Sequence, residues 1–241
     1  MNSLALGART LLQLELTPAQ LAAFQIYADE LRTWSEQFNL TAIKDLEGIQ
    51  IKHFLDSLSI LKVLLPPSTV HRPPSFVDIG TCAGFPGLPL KIACPEMQLT
   101  LVEATGKKAK FCEHVIAKLN LRGVKVVQAR AEEIGHDPAH REQYDWAVAR
   151  AVAEMPTLAE YLLPLVKRGG RAIAQKGSSA PGETQTAAGA VKRLGGELEQ
   201  IVPVELPGIA ETRYLVVFKK IAATPAAYPR RTGLPGKKPL Q

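Results

Sequence analysis

The chain has 241 residues, 46% hydrophobic and 22% charged, proportions that suit a globular protein able to bury a full core without disulfide or metal staples. No stretch approaches the ~18 uncharged apolar residues of a membrane span. The start of the chain, with Arg9 as its one cation before Glu15, lacks the basic region and cleavage site of a secretory signal. The net charge of +6 lies wholly in the last 23 residues, which hold Lys219, Lys220, Arg230, Arg231, Lys237 and Lys238 and no acid. Such an asymmetry points to a polyanion, most often nucleic acid. Cys82, Cys94 and Cys112 are odd in number and fit no zinc spacing, which reads as reduced thiols in a cytoplasm.

Residues 17–38 predict an amphipathic helix. Thr17, Pro18 and Gln20 fit a capping-box start, and Leu21, Phe24, Ala28, Leu31, Trp34 and Phe38 follow a helical period. A second apolar helix is predicted from about Leu46 to Leu65, stopped by Pro66-Pro67, with a linker at 70–74. Residues 1–70 thus form a helical N-terminal extension. Strands follow at 75–79, 98–103, 124–129, 144–149 and 171–176, with helices at about 106–120, from 150 through Tyr161 to Val166, and at 182–194. This alternation argues for a parallel sheet with helices on both faces. The last two strands, 197–206 and 213–220, have no helix-length gap between them and suggest an antiparallel hairpin. The whole of 71–220 therefore predicts an α/β domain of the Rossmann-like class I kind, with a seven-stranded, mostly parallel sheet, as in AdoMet-dependent methyltransferases. Residues 221–241 are basic and Pro-rich and predict an extended, solvated tail suited to lie along phosphates.

Four positions carry chemistry. VDIGTCAGFPG (77–87) follows the first strand and places Gly80, Gly84 and Gly87 where a backbone must approach a ligand, with Asp78 two residues ahead. Cys82 and Pro86 break a dinucleotide fingerprint, and the pattern is closer to an AdoMet loop. Glu103 ends the second strand, where a carboxylate accepts from both ribose hydroxyls of either NAD or AdoMet; Ala104 and Thr105 share its turn. In ARAEE (129–133), Ala131 and Glu132 face the adenine in this architecture, through the backbone N–H and the carboxylate of Glu132. Arg150 leaves the fourth strand, where a substrate pocket opens, and suits a cofactor carboxylate or a substrate phosphate. Neither the Pro-Cys of a cytosine-C5 enzyme nor the [ND]-P-P-[YF] of an amino-group methyltransferase is present. His53 reads as a packed structural group rather than a base.

Together, NLTAIKD (39–45), HFLDSL (53–58), VDIGTCAGFPGLPLKI (77–92), LVEATGKKAKF (101–111), RAEE (130–133), ARA (149–151) and YPRRTGLPGKKPL (228–240) closely resemble the bacterial ribosomal RNA small subunit methyltransferase G family, also called glucose-inhibited division protein B. The resemblance covers roughly residues 17–240. It implies S-adenosyl-L-methionine as cofactor, N7 of one guanine in 16S ribosomal RNA as the methylated atom, and a monomer acting in the cytoplasm without a membrane or a metal. It also implies that Gly80 and Phe85 form the cofactor loop, Glu103, Ala104 and Thr105 the ribose turn, Ala131 and Glu132 the adenine side, and Arg150 the catalytic edge. Two departures stand out: the family usually has glycine at Cys82 and often aspartate at Glu103. If position 82 requires positive φ, affinity for the cofactor is expected to fall. The alternatives are an RNA-binding module with a vestigial pocket and a small-molecule methyltransferase.

Overall fold

The computed structural model describes residues 1–64 and 73–241. Its centre is a seven-stranded sheet of β1 (Ser75–Ile79), β2 (Gln98–Val102), β3 (Val124–Val127), β4 (Tyr144–Arg150), β5 (Val166–Lys176), β6 (Gly196–Val204) and β7 (Arg213–Lys220), in the order β3-β2-β1-β4-β5-β7-β6. β1 to β5 pair in parallel, and β7 runs antiparallel between β5 and β6. The predicted parallel sheet and its closing antiparallel pair are therefore found, with β7 inserted between its neighbours. β5 begins at Val166 rather than at the predicted Arg171, because Val166 already pairs with Tyr144; the polar run 167–170 bulges out of the ladder before Arg171 pairs with Trp146. The predicted helix at 182–194 is two pieces, Ala180–Thr186 and Ala188–Arg193.

Side chains alternate across the strands with period two and build one core on each face of the sheet. Phe76, Leu99, Leu101, Trp146, Val148, Ile173, Leu215 and Val217 join the N-terminal helices, and Val77, Ile79, Val102, Ala147, Ala149, Val216 and Phe218 join the helices at 155–162 and 188–193. The order of the strands turns back on itself between β1 and β4, and a crevice opens there at their carboxyl ends.

The N-terminal helices cover the first face. The helix at Pro18–Phe38 starts with the predicted capping box: Thr17 Oγ1 accepts from Gln20 N at 3.2 Å, and Gln20 Oε1 accepts from Thr17 N at 2.9 Å. Gln20 Nε2 also donates to the carbonyls of Ile92 and Ala93 (3.0 and 3.1 Å), which ties this helix to the sheet domain. An additional helix at Asn2–Leu12, which the sequence reading passed over, buries Leu4 and Ala8. The segment 46–62 is helical but not uniform: Ile49–Leu55 has the wide spacing of a π-helix and Ser59–Lys62 tightens to a 3-10 turn. The predicted helix end at Leu65, the Pro66-Pro67 stop, most of the 70–74 linker and the boundary at residue 70 lie outside the described residues.

The C-terminal tail corrects the sequence reading. Residues 221–241 are not an extended, solvated arm; they fold back onto the second face, where Leu240 is buried. Buried groups of the body supply the anchors. Glu160, 0% exposed, accepts Arg230 Nη2 at 2.7 Å and Arg230 Nε at 3.0 Å. Glu132 Oε1 accepts the Gly233 N–H at 2.8 Å, and the Arg141 guanidinium donates to the carbonyls of Gly135, Thr224 and Tyr228, each at 2.7 Å. Lys220 is buried, donates to the Leu163 carbonyl and to Thr224, and pairs with Glu142; burial pushes its amine down to about 8. Arg230 is thus removed from the four cations of the predicted arm, whereas Arg231, Lys237 and Lys238 stay exposed. Composition alone could not reveal these partners, which lie tens of residues away.

Removing Arg230 would leave the Glu160 carboxylate buried without its counter-charge. Arg230→Ala is therefore expected to destabilise the fold by about 3–5 kcal/mol, read as a lower urea midpoint at unchanged m-value. A loss below about 1 kcal/mol would show that the pair contributes no more than a surface ion pair.

Candidate active site

The loop after β1 is built around two carboxylates. Asp78, fully buried in β1, accepts the Thr81 hydroxyl at 2.6 Å and the Gly87 N–H at 2.9 Å, both at Oδ2. Burial pushes its carboxyl up to about 6, against those bonds and the Arg150 charge. The second is Glu103. Because Ile79 pairs with Val102, the residue after β2 lies beside the turn that leaves β1. Glu103 Oε2 accepts the Cys82 N–H at 2.9 Å and Oε1 the Thr105 N–H at 2.7 Å, with the residue 7% exposed. Each oxygen still has a second lone pair to offer.

Gly80 and Cys82 both adopt positive φ, 67° and 54°. For Gly80 this is free of strain. For Cys82 it costs about 1–2 kcal/mol. The positive φ at which sequence reading expected a penalty is therefore present.

Arg150 ends β4 and turns toward the N-terminal helices. Its guanidinium donates to Asp56 Oδ2 at 2.9 Å and lies 4.9 Å from the centre of the Phe85 ring. Burial raises Asp56, and Arg150 and Arg213 oppose that push. Phe85 also stacks with His53 at 4.5 Å and with Tyr27 at 5.5 Å, and the Tyr27 hydroxyl donates to the Ala83 carbonyl at 2.5 Å. His53 Nε2 is 2.7 Å from Thr41 Oγ1, and burial together with the Arg150 charge lowers the imidazole to about 3. It is neutral at physiological pH. His53 belongs to the π-helical stretch, a feature common at functional sites.

These groups enclose a cavity of about 600 Å³, the size of a small-ligand site. Of the residues singled out in the sequence, Gly80, Phe85, Glu103 and Arg150 line it together. Ala104 and Thr105 lie on the exposed turn beyond Glu103, and Ala131 and Glu132 open the short helix Ala131–Ile134 after β3. The Glu132 carboxylate, expected to read a base edge, is instead taken up by the Gly233 N–H and by the Tyr161 hydroxyl at 3.3 Å. Its backbone N–H, at a helix start, needs no partner within the helix. Sequence reasoning missed Asp56, Gln175 and Arg213 on the same wall. Gln175 was legible in principle, since it stands at the carboxyl end of the strand next to β4, and Asp56 lies within HFLDSL; Arg213 carries no local signal. Among the described residues, no cluster of three or more His, Cys, Asp or Glu side chains is placed to hold a metal, and no helix is long and apolar enough to cross a membrane.

A central parallel sheet with this strand order, a glycine turn after β1 and a buried carboxylate after β2 define the class I methyltransferase fold. Solved structures of that fold superpose on it: a mutant of the 16S rRNA (adenine(1408)-N(1))-methyltransferase from Catenulisporales acidiphilia (TM-score 0.53, 14% identity, 64% of this chain and 88% of that one), and a mutant of MtNAS in complex with S-adenosylmethionine (TM-score 0.52, 17% identity, 85% and 72%). The chain belongs to the rRNA small subunit methyltransferase G family, whose model matches residues 20–210. Relatives named ribosomal RNA small subunit methyltransferase G include one from Roseiflexus castenholzii, 52% identical over 94% of each chain. Another, from Dehalococcoides mccartyi, is 45% identical over 100% of each.

Two outcomes follow from the loop and its neighbours. Cys82→Gly keeps the N–H that Glu103 accepts and relieves the left-handed strain, so it is expected to stabilise the fold by about 1 kcal/mol in urea unfolding. A loss of stability would mean that the thiol's contacts outweigh the strain. The second concerns pH. With a native imidazole near 3 instead of 6.5, His53 contributes stability that is complete above 6.5 and lost as pH falls toward 3. Asp78, raised to about 6 from 3.8, acts in the opposite sense: its contribution is complete below 3.8 and lost as pH rises through 6. His53→Gln removes the first and keeps the second. Relative to the parent, the variant should gain up to about 1.4 kcal/mol per pH unit between pH 6.5 and 4.5. A stability difference independent of pH would contradict a neutral His53.

Proposed function

We propose that this protein transfers a methyl group from S-adenosyl-L-methionine to N7 of one guanine in 16S ribosomal RNA, as a cytoplasmic monomer acting on the small subunit or its precursor. The observation that carries the reading is the Glu103 carboxylate, fixed by two backbone N–H groups on the wall of a nucleoside-sized cavity, in a chain of this family. Residues 71–220 are the catalytic domain, 1–70 the N-terminal extension, whose described helices wall the site, and 221–241 a brace on the opposite face.

The cavity suits a ribose-bearing ligand. Gly80 and Phe85 form the cofactor loop, and Glu103 accepts the ribose hydroxyls on a turn shared with Ala104 and Thr105. Ala131 and the Glu132 N–H border the adenine, and Arg150 stands at the edge toward the substrate. When bound, S-adenosyl-L-methionine supplies a methyl carbon activated by a cationic sulfur, which departs with the electron pair of the broken bond. Guanine N7 offers a lone pair and carries no proton, so the chain need not supply a base. A neutral His53 engaged with Thr41 agrees with that. The residues' task is to hold N7 in line with the carbon–sulfur bond and to keep water away. Phe85, stacked with Tyr27 and His53, is a rigid apolar part of that wall. Lys52 and Lys108 also line the cavity and suit the phosphates on either side of a target nucleotide, whereas Lys176 is held by Glu183 at 2.7 Å.

The test is a map of N7-methylguanine in 16S rRNA from cells with and without the gene. One position should lose its modification without the gene and regain it when purified protein and S-adenosyl-L-methionine are added to the small subunits. Identical maps would refute the function. Glu103→Ala is expected to weaken S-adenosyl-L-methionine binding by about 1.5–3 kcal/mol in calorimetry; unchanged affinity would remove Glu103 from the site.

A further inference from the structure

The folded C-terminal strap reaches the same edge of the sheet as the cavity. Its Gly233 N–H is held by Glu132 Oε1 at 2.8 Å, on the short helix that follows β3. Its Pro235 carbonyl accepts the Thr157 hydroxyl at 3.0 Å, in the first turn of the helix that follows β4. Both anchors thus belong to segments leaving the carboxyl ends of parallel strands, where the cavity opens. Lys52 and Lys108 line that cavity beside the N-terminal helices, on the first face. The strap borders the same edge on the second face.

Between its anchors the strap carries cations that the fold does not use. Arg231, Lys237 and Lys238 are exposed, and among the described residues none of the three has a side-chain hydrogen bond or an ion pair. They are close in space as well as in sequence. The Arg231 carbonyl accepts the Leu234 N–H at 3.0 Å, and the Leu234 carbonyl accepts the Lys238 N–H at 2.9 Å. Residues 231–238 therefore form one compact knuckle. Nothing lies within 4 Å of where a Cβ would stand on Gly233 or Gly236, so the knuckle projects into solvent. Arg130, also exposed, begins the helix that holds Gly233, and its charge reaches the Tyr161 hydroxyl bonded to Glu132.

The contrast with Arg230 is informative. Arg230 is clamped on the buried Glu160, whereas Arg231 beside it has no acid. The carboxylates of Glu160 and Glu132 are taken up by Arg230 and by Gly233 and Tyr161. Glu133 and Glu154, the exposed acids that border the knuckle, are outnumbered by its cations and Arg130. Like charges gathered on one segment repel one another, and a brace gains nothing from them. A polyanion relieves that repulsion.

We propose that Arg231, Lys237 and Lys238, with Arg130 beside them, form a phosphate-binding surface that holds the ribosomal RNA at the rim of the cavity, on the side opposite Lys52 and Lys108. This rests on the rRNA reading above and adds an anchorage outside the cofactor cavity. Contacts of this kind fix the position and orientation of the nucleic acid and read no bases. The surface is formed in advance, because Glu160, Glu132, Thr157 and the Arg141 guanidinium hold the strap. Binding then orders only the long cationic side chains, whereas a free arm would lose the backbone freedom of its whole length.

The test is the salt dependence of binding. The full chain is titrated with small subunits from cells without the gene, and separately with protein-free 16S rRNA. The triple variant Arg231→Gln, Lys237→Gln, Lys238→Gln should flatten the log–log salt slope by about 2, at ~0.7 per phosphate contact. At low salt its affinity should fall by about tenfold or more on both ligands. Its urea midpoint should be unchanged, and its affinity for S-adenosyl-L-methionine should match the parent's. The charge-keeping variant Arg231→Lys, Lys237→Arg, Lys238→Arg should bind RNA as the parent does. An unchanged slope in the triple variant would overturn the proposal and leave these cations as solvating charge. So would a lowered urea midpoint that accounts for the loss, or an equal loss in the charge-keeping variant. A loss on subunits without one on protein-free RNA would also overturn it, and would assign the surface to an acidic protein. Binding is read without turnover, so an absence of N7-methylguanine would refute the functional reading while the slope still decides the surface.

Discussion

The carboxylate of Glu103 holds the N–H groups of Cys82 and Thr105 at 2.9 and 2.7 Å, and so ties the loop after β1 to the turn after β2. Asp78 does the same within the loop, through Thr81 and Gly87. Two buried carboxylates thereby fix a glycine-bearing loop that would otherwise have many conformations. The backbone of the loop is formed in advance, so a ligand bound there would not need to supply the entropy of ordering it. The left-handed Cys82 is the local cost of that arrangement.

The second constraint comes from outside the sheet domain. Arg150 is held between Asp56 and the Phe85 ring, and Phe85 is itself packed on His53 and Tyr27. The N-terminal helices therefore complete the cavity, because a strand end alone would leave Arg150 in solvent. On the opposite face, the C-terminal residues brace the helix at Ala131–Ile134 through Glu132 and Gly233, and the helix at 155–162 through Glu160 and Arg230. The basic composition of the tail thus serves the fold as well as the surface.

What the sequence disclosed follows the range of the interactions involved. Strand positions, the Thr17 capping box, the glycine loop and Glu103 depend on spacing within a few residues, and their places in the structure agree. The closing pair of strands was legible from a short connection. The packed tail was not, because Arg230 gives no sign of a buried Glu160 seventy residues earlier. The meeting of Asp56, Gln175 and Arg213 was likewise hidden: it comes only through the topology that puts β5, β7 and the 46–62 helical segment side by side. His53 is a mixed case, packed as expected against Thr41 and Phe85, yet on the cavity wall.

In the proposed function, one cavity, ordered by Glu103 at one end and Arg150 farther along, seats the cofactor at the carboxyl ends of β1, β2 and β4. A crystal structure of the protein with S-adenosylhomocysteine tests this most directly. Both ribose hydroxyls are expected on Glu103, with the Cys82 and Thr105 N–H bonds retained and the sulfur lying toward Arg150. A ribose bound elsewhere, with the Glu103 carboxylate touching only Cys82 and Thr105, would contradict it.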